Sequence, residues 1–107
     1  SPRHAMAHNN LAMALRRLGR DDEAIDHYRA ALRTDPRLSA ASFNLAVALE
    51  EKGRLEEAAS AYAAFLTHDP ADAEAEDRYS RVLAGLGRTD EAAVHARRAR
   101  EIEHRTP

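Results

Sequence analysis

The chain has 107 residues, 44% of them hydrophobic but only 5% aromatic, with 24 alanines, four glycines, four prolines and no cysteine. That length suits one domain, the alanine excess favours helix over sheet, and the lack of cysteine excludes disulfide scaffolds and cysteine-ligated zinc ribbons. Sixteen cations, fifteen of them arginine, against 18 acids leave a net charge of −2, too balanced to point to nucleic acid or to an acidic tail.

Taken in chain order, Leu11, Leu15 and Leu18 recur at helical spacing, and Gly19 supplies the left-handed residue that closes a first helix without a Cβ clash. Asp21, Asp22 and Glu23 belong to the first turn of a second helix, where free N–H groups and the helix dipole favour carboxylates. Ala24, Tyr28, Ala31 and Leu32 form the apolar face of that helix. It ends at Asp35-Pro36, read as an N-cap residue followed by a proline at the first position of the next helix. The same order then returns with a period of 34 residues. Gly19, Gly53 and Gly87 are 34 apart, as are Ala24, Ala58 and Ala92, and Arg-x-x-Glu-Ala recurs from Arg20, Arg54 and Arg88. Residues 5–38 match 39–72 at 15 of 34 positions, and 39–72 match 73–106 at seven, those of the turn included. The spacing therefore predicts three helix-turn-helix units, 5–38, 39–72 and 73–106, the third a divergent copy whose last helix has the weakest signal.

These residues resemble the tetratricopeptide repeat (TPR) along essentially the whole chain. Leu11, Leu45 and Tyr79 fill the family's leading large slot, and Ala12, Ala46 and Ser80 the adjoining small one. Leu15, Leu49 and Leu83 follow, then the turn glycines, then Ala24, Ala58 and Ala92. Tyr28 and Tyr62 take the aromatic slot, and Pro36 and Pro70 close their units. His8, Ser42 and Glu76 stand where the family often has tryptophan, Ala96 replaces the aromatic, Phe65 a small residue and His104 the final proline. The resemblance implies an all-α solenoid of six antiparallel helices in a right-handed superhelix. Ser1-Pro2 lies 34 residues before Asp35-Pro36, so the chain reads as cut from a longer array. Arg97, Arg98 and Arg100 make the last helix polar enough to serve as a cap, the alternatives being a cover from a further repeat or from another subunit.

Motifs for catalysis are not present: no phosphate loop, no G-x-S-x-G elbow and no H-E-x-x-H, with Gly85-Leu86-Gly87 only a helix end. Neither a cofactor nor a metal is expected. His4 and His8 share a helix face without a third ligand, and His27 and His95, in equivalent slots, read as solvent-facing. Carboxylate clusters at Glu50-Glu51, Glu56-Glu57 and Glu74-Glu76-Asp77 read as solvated helix faces. A nucleic-acid partner is not expected, because the arginines of the last helix alternate with Glu101 and Glu103. No stretch approaches the ~18 apolar residues of a membrane span, so no membrane partner is expected either.

The resemblance further implies a concave side lined by the first helix of each unit. There it places Met6, Asn9, Asn10, Met13, Arg16 and Arg17, then Phe43, Asn44, Val47, Glu50 and Glu51, then Glu74, Asp77, Arg78 and Arg81. Met13, Phe43 and Val47 would make a small apolar floor, and Asn10 and Asn44, in one slot of successive units, can each donate and accept along a peptide backbone. Of the family's clamp for a C-terminal carboxylate only Asn44 and Arg78 are matched, because Asn9, Met13 and Glu74 occupy its other places. The asparagine ladder of glycosyltransferase-linked repeats fits at Asn10 and Asn44 and breaks at Arg78. The expected function is a non-catalytic module that binds a protein or peptide partner on the concave face, with Asn44 and Arg78 holding an acidic or mixed peptide and Phe43 anchoring it. The recognition arm of a larger enzyme, such as a glycosyltransferase, and a self-associating structural module stand as alternatives, the latter forming a homo-oligomer through exposed terminal helices.

Overall fold

The computed structural model describes residues 1–105, so the last residue assigned to the third unit, Thr106, and Pro107 lie outside the described residues. Six helices follow one another: α1 (Pro2–Arg17), α2 (Asp21–Thr34), α3 (Ser39–Glu51), α4 (Leu55–His68), α5 (Ala73–Gly85) and α6 (Thr89–Arg105). α1 packs mainly on α2, α3 on α4 and α5 on α6. The three hairpins then join where α2 meets α3 and α4 meets α5. Contacts thus run between sequence neighbours, as in a solenoid. The radius of gyration is 14.0 Å and the extents are 36 × 29 × 21 Å, longer than the ~13 Å radius of a compact globule of this length.

Each hairpin turn has the same physical cause. Gly19, Gly53 and Gly87 adopt φ of 78°, 77° and 79°, conformations that cost an L side chain energy whatever space surrounds it. Past the first helix, the Gly19 N–H bonds the Arg16 carbonyl at 2.9 Å and the Arg20 N–H bonds that of Leu15 at 2.9 Å, which satisfies carbonyls that the helix end leaves open. The other two turns repeat this pairing. The repeated Arg-x-x-Glu then acts across the start of the next helix. Arg20 grips Glu23 at 2.9 and 2.6 Å, Arg54 grips Glu57 at 3.0 and 2.9 Å, and Arg88 grips Glu91 at 3.2 and 2.7 Å. The guanidinium of Arg54, reinforced by Arg29, holds the Glu57 carboxyl below its ordinary range, and Arg88 does the same to Glu91.

Connections between the hairpins differ from the sequence expectation. Asp35 and Asp69 end α2 and α4 rather than capping the next helix, and Pro36 and Pro70 lie in the turns. The Asp35 carboxylate accepts from the Arg37 N–H at 3.1 Å, a local turn that competes with a cap. α3 starts three residues later, and α5 is capped by Asp72, whose Oδ1 accepts from the Ala75 N–H at 2.9 Å. Ser1-Pro2 alone plays the expected part, with Ser1 as N-cap and Pro2 as first residue of α1. The last helix is also firmer than its sequence suggests. With His104 in place of proline, α6 runs on to Arg105, three residues past the positions equivalent to the ends of α2 and α4.

The interior centres on α3, of whose thirteen residues seven are buried because α2 and α4 cover it from two sides. Ala12, Ala24, Ala46 and Ala58 are fully buried, and these small side chains let the backbones approach. Leu15, Ile25, Tyr28, Leu45, Leu49, Tyr62 and Val82 fill the flanking grooves. Leu45 is 8% exposed but Leu11, in the same slot with no helix before it, is 46% exposed. Leu18, at the C-cap of α1, is exposed as well. Ala58→Leu should overpack the central hairpin and cost about 1 to 3 kcal/mol in chemical denaturation; an unchanged midpoint and slope would contradict this packing.

Candidate functional site

The first helices of successive hairpins meet through polar side chains. Arg16 Nη2 of α1 lies 2.6 Å from Glu51 Oε1 of α3, and Arg78 of α5 lies 3.5 Å from Glu50 of α3 and 3.2 Å from Glu74 one turn away. Arg81 pairs with Asp77 at 3.3 Å. Among the described residues, Arg17 and Asn10 are exposed and make no ion pair or hydrogen bond.

Asn9 is 3% exposed, and its Oδ1 accepts from Asn44 Nδ2 at 3.3 Å while its own Nδ2 approaches Met13 Sδ at 3.7 Å. The two amides therefore cross-link α1 and α3, and Asn44 keeps its carbonyl and one N–H for other partners. Val47 is buried. Phe43, half-buried, sets its ring edgewise against Phe65 and Tyr62, with centroids 5.3 and 6.2 Å away. Of the residues expected on this face, Asn9, Val47 and Phe43 thus lie in or against the interior, while Asn10, Met13, Arg17, Asn44, Arg78 and Arg81 keep exposure.

An open cleft of about 430 Å³ lies where α1 meets α3, with Met13, Arg16, Arg17, Asn44 and Glu51 on its walls and Asp21 and Tyr28 of α2 behind them. Tyr28 and Tyr62 occupy one repeat slot, yet their hydroxyls fare differently. Tyr62 donates to Glu50 Oε1 at 2.5 Å. The residue in the slot of Glu50 one unit earlier is Arg16, which has no acceptor to offer. Tyr28 Oη is accordingly buried without a hydrogen-bond partner among the described residues. Burial is the main influence raising both phenol pKa values above the ordinary range; Glu50 adds to the effect on Tyr62, and Arg16 opposes it at Tyr28.

Two further polar pairs correct the sequence reading. Glu76, expected on a solvated face, is 2% exposed and lies 2.9 Å from His95 Nδ1. His27, expected to face solvent, meets His8 Nδ1 to Nδ1 at 3.1 Å, so His8 turns to α2 instead of joining His4, which bonds Ser1. Both pairs cross one hairpin at a spacing of 19 residues, 8 with 27 and 76 with 95, and that shared offset in the repeat is the signal that could have revealed them. Ser42 and Ala61 fill the slot in the middle unit. His95 also lies against Tyr79, centroids 4.5 Å apart and ring planes tilted by 52°, in a second cleft of about 400 Å³ among α4, α5 and α6. The Thr67 hydroxyl on its wall donates to the Ala63 carbonyl at 2.9 Å, which ties down the nearest alcohol. Among the described residues, no group of three or more histidines and carboxylates is placed to hold a metal, and no helix is long and apolar enough to cross a membrane.

Three hairpins with glycine turns, buried alanines at the crossings and polar first helices coincide with what family comparison finds. One tetratricopeptide repeat model matches residues 5–38, and another matches 28–73 and 43–103. The chain belongs to the tetratricopeptide repeat family. No curated protein matches it significantly. Among solved structures it is similar to MamA, with a TM-score of 0.91 at 23% identity, covering 98% of this chain and 61% of that one. It is also similar to the second TPR domain of Spaghetti (RPAP3) bound to the HSP90 peptide SRMEEVD, with a TM-score of 0.87 at 19% identity over 94% of both chains. The first TPR domain of the same protein, bound to the same peptide, gives 0.88 at 22% identity, covering 96% of this chain and 82% of that one. The TPR chain thus spans about three fifths of MamA, and these likenesses establish the fold.

The phenols of this TPR array carry a pH dependence with a definite sign. A group whose folded pKa is raised contributes stability that is present below its unfolded pKa of about 10 and lost as pH rises toward the folded value. Above that pH, stability should fall less steeply in Tyr62→Phe than in the wild type, as followed by denaturant unfolding at stepped alkaline pH. Parallel curves would show that the phenol is not held by burial and Glu50.

Proposed function

We propose that this TPR array is a non-catalytic protein-interaction module that binds an extended peptide across the first helices of its hairpins. The carrying observation is the open cleft between α1 and α3, where Asn44, Arg17 and the Tyr28 hydroxyl retain hydrogen-bonding capacity beside the apolar Met13. Asn9, Phe43 and Val47, in or against the interior, would support these groups from beneath, and Asn10, Arg78 and Arg81 would extend the surface to either side. The domains of Spaghetti that share the fold hold a peptide with an acidic end, which supports peptide binding as the use of this architecture.

Charge separates the present surface from a simple acid-binding one. Arg16, Arg17, Arg78 and Arg81 face Glu50, Glu51, Glu74 and Asp77, and all of these but Arg17 are tied in ion pairs among themselves, Glu50 also accepting from Tyr62. A mixed or uncharged segment therefore suits the groove better than a strongly acidic one, since acids on the ligand would meet as many acids as bases. Asn44 and Arg78 would hold its backbone, and the exposed part of Phe43 would meet an apolar side chain.

Heptapeptides selected from a random library on the wild-type array should lose about ten-fold in affinity with Asn44→Ala or Phe43→Ala, the usual loss at a central interface residue. Fluorescence anisotropy on variants shown to be helical by circular dichroism measures it. Unchanged affinity in both would remove the groove.

A further inference from the structure

The cleft contains an unmet donor. In the second hairpin Glu50 accepts a hydrogen bond from the Tyr62 phenol, but Arg16 occupies the same slot in the first, and a guanidinium near a phenol can only donate to its oxygen. Tyr28 is fully buried and lines the cleft; Arg16 lies close enough to act on its oxygen as a donor without reaching good hydrogen-bond geometry, and nothing among the described residues accepts its proton. An orphaned buried hydroxyl costs stability until something accepts its proton.

The surrounding charges restrict what that acceptor can be. Arg16 is closed by Glu51. Arg17 and Asp21 both line the cleft, and neither makes an ion pair among the described residues. The walls therefore offer one free cation, one free anion and one phenol donor, beside the Asn44 amide, which can donate or accept. A carboxylate would satisfy Tyr28 and Arg17 but would stand beside Asp21 and Glu51 with no proton to give them. A carboxamide answers every group at once: its carbonyl accepts from Tyr28 Oη and Arg17, and its N–H donates to Asp21.

We infer that this cleft is a subsite for an uncharged amide, either a peptide bond or the side chain of asparagine or glutamine, recognised by Tyr28, Arg17 and Asp21. This rests on the peptide-binding reading above and names the chemistry read at one point of the groove. The neighbouring unit has no such site, because Glu50, Glu51 and Leu55 stand there in the slots of Arg16, Arg17 and Asp21, and Glu50 keeps the Tyr62 phenol occupied.

Met13 lines the cleft and Met6 does not, so methionine methyl NMR on the full chain reports occupancy with an internal control. Three probes are titrated: N-methylacetamide for a main-chain amide, propionamide for a side-chain amide, and acetate for a carboxylate. The Met13 methyl should shift with at least one amide at lower concentration than with acetate, while Met6 stays in place; which amide acts identifies the source. Tyr28→Phe should weaken the amide response about five-fold, the loss expected for one hydrogen bond, and Asp21→Asn should narrow the preference over acetate. A Met13 shift led by acetate, no Met13 shift with either amide, or an amide response unchanged in Tyr28→Phe would overturn the inference. Because these probes do not need the rest of the groove, their failure leaves the heptapeptide result standing, and a failed heptapeptide selection beside a Tyr28-dependent amide shift would instead count against the extended groove.

Discussion

A lone helical hairpin leaves an apolar face in water, and the whole array depends on covering that face with the next hairpin. α3 shows this most clearly. It is apolar nearly all round, a pattern that suits only a helix with neighbours on several sides, and α1, α2 and α4 provide them. Its alanines allow close approach, and the tyrosines of α2 and α4 fill the space beside it. The shared polar surface is a by-product of that arrangement: stacking hairpins side by side aligns their first helices and leaves polar residues between them.

The features legible in the sequence were those that a single unit dictates. A left-handed residue after a helix calls for glycine, and a crossing with no room calls for alanine. Both recur every 34 residues because every unit has the same steric problem. Asp35-Pro36 misled because aspartate before proline satisfies the rule for a helix start, whereas here the carboxylate folds onto its own loop at Arg37. His8 with His27 and Glu76 with His95 were hidden for another reason. Each partner looks unremarkable on its own helix, and only the crossing of the two helices brings them together. Glu76 sits where the family often has a large aromatic, so a carboxylate entered an interior slot and is satisfied there by an imidazole from the opposite helix.

Duplication makes such exchanges informative, because one backbone environment is filled several times. The slot shared by Arg16 and Glu50 faces the tyrosine of its own hairpin in both units. With the acid the phenol proton has an acceptor; with the base it has none among the described residues. The crossing slot behaves in the same way, holding two imidazoles, then serine with alanine, then a carboxylate with an imidazole. The stack tolerates these changes because its apolar slots, not its polar ones, fix the helix positions. Function can therefore differ from unit to unit while the turns and crossings stay the same.

The ion pairs that bridge the hairpins fit that division of labour. Arg16 with Glu51 and Arg78 with Glu50 join α1 to α3 and α3 to α5, and all four side chains retain some solvent contact. Pairs of this kind contribute roughly 0 to 1 kcal/mol each, too little to hold hairpins together against the loss of apolar contact. They can consequently open without loosening the stack. Their effect on the face is electrostatic: acids and bases compensate one another there and leave little net charge. The groups of this face that no such pair closes include Arg17 and the Tyr28 phenol, and both lie at the first junction, where the repeat departs from itself.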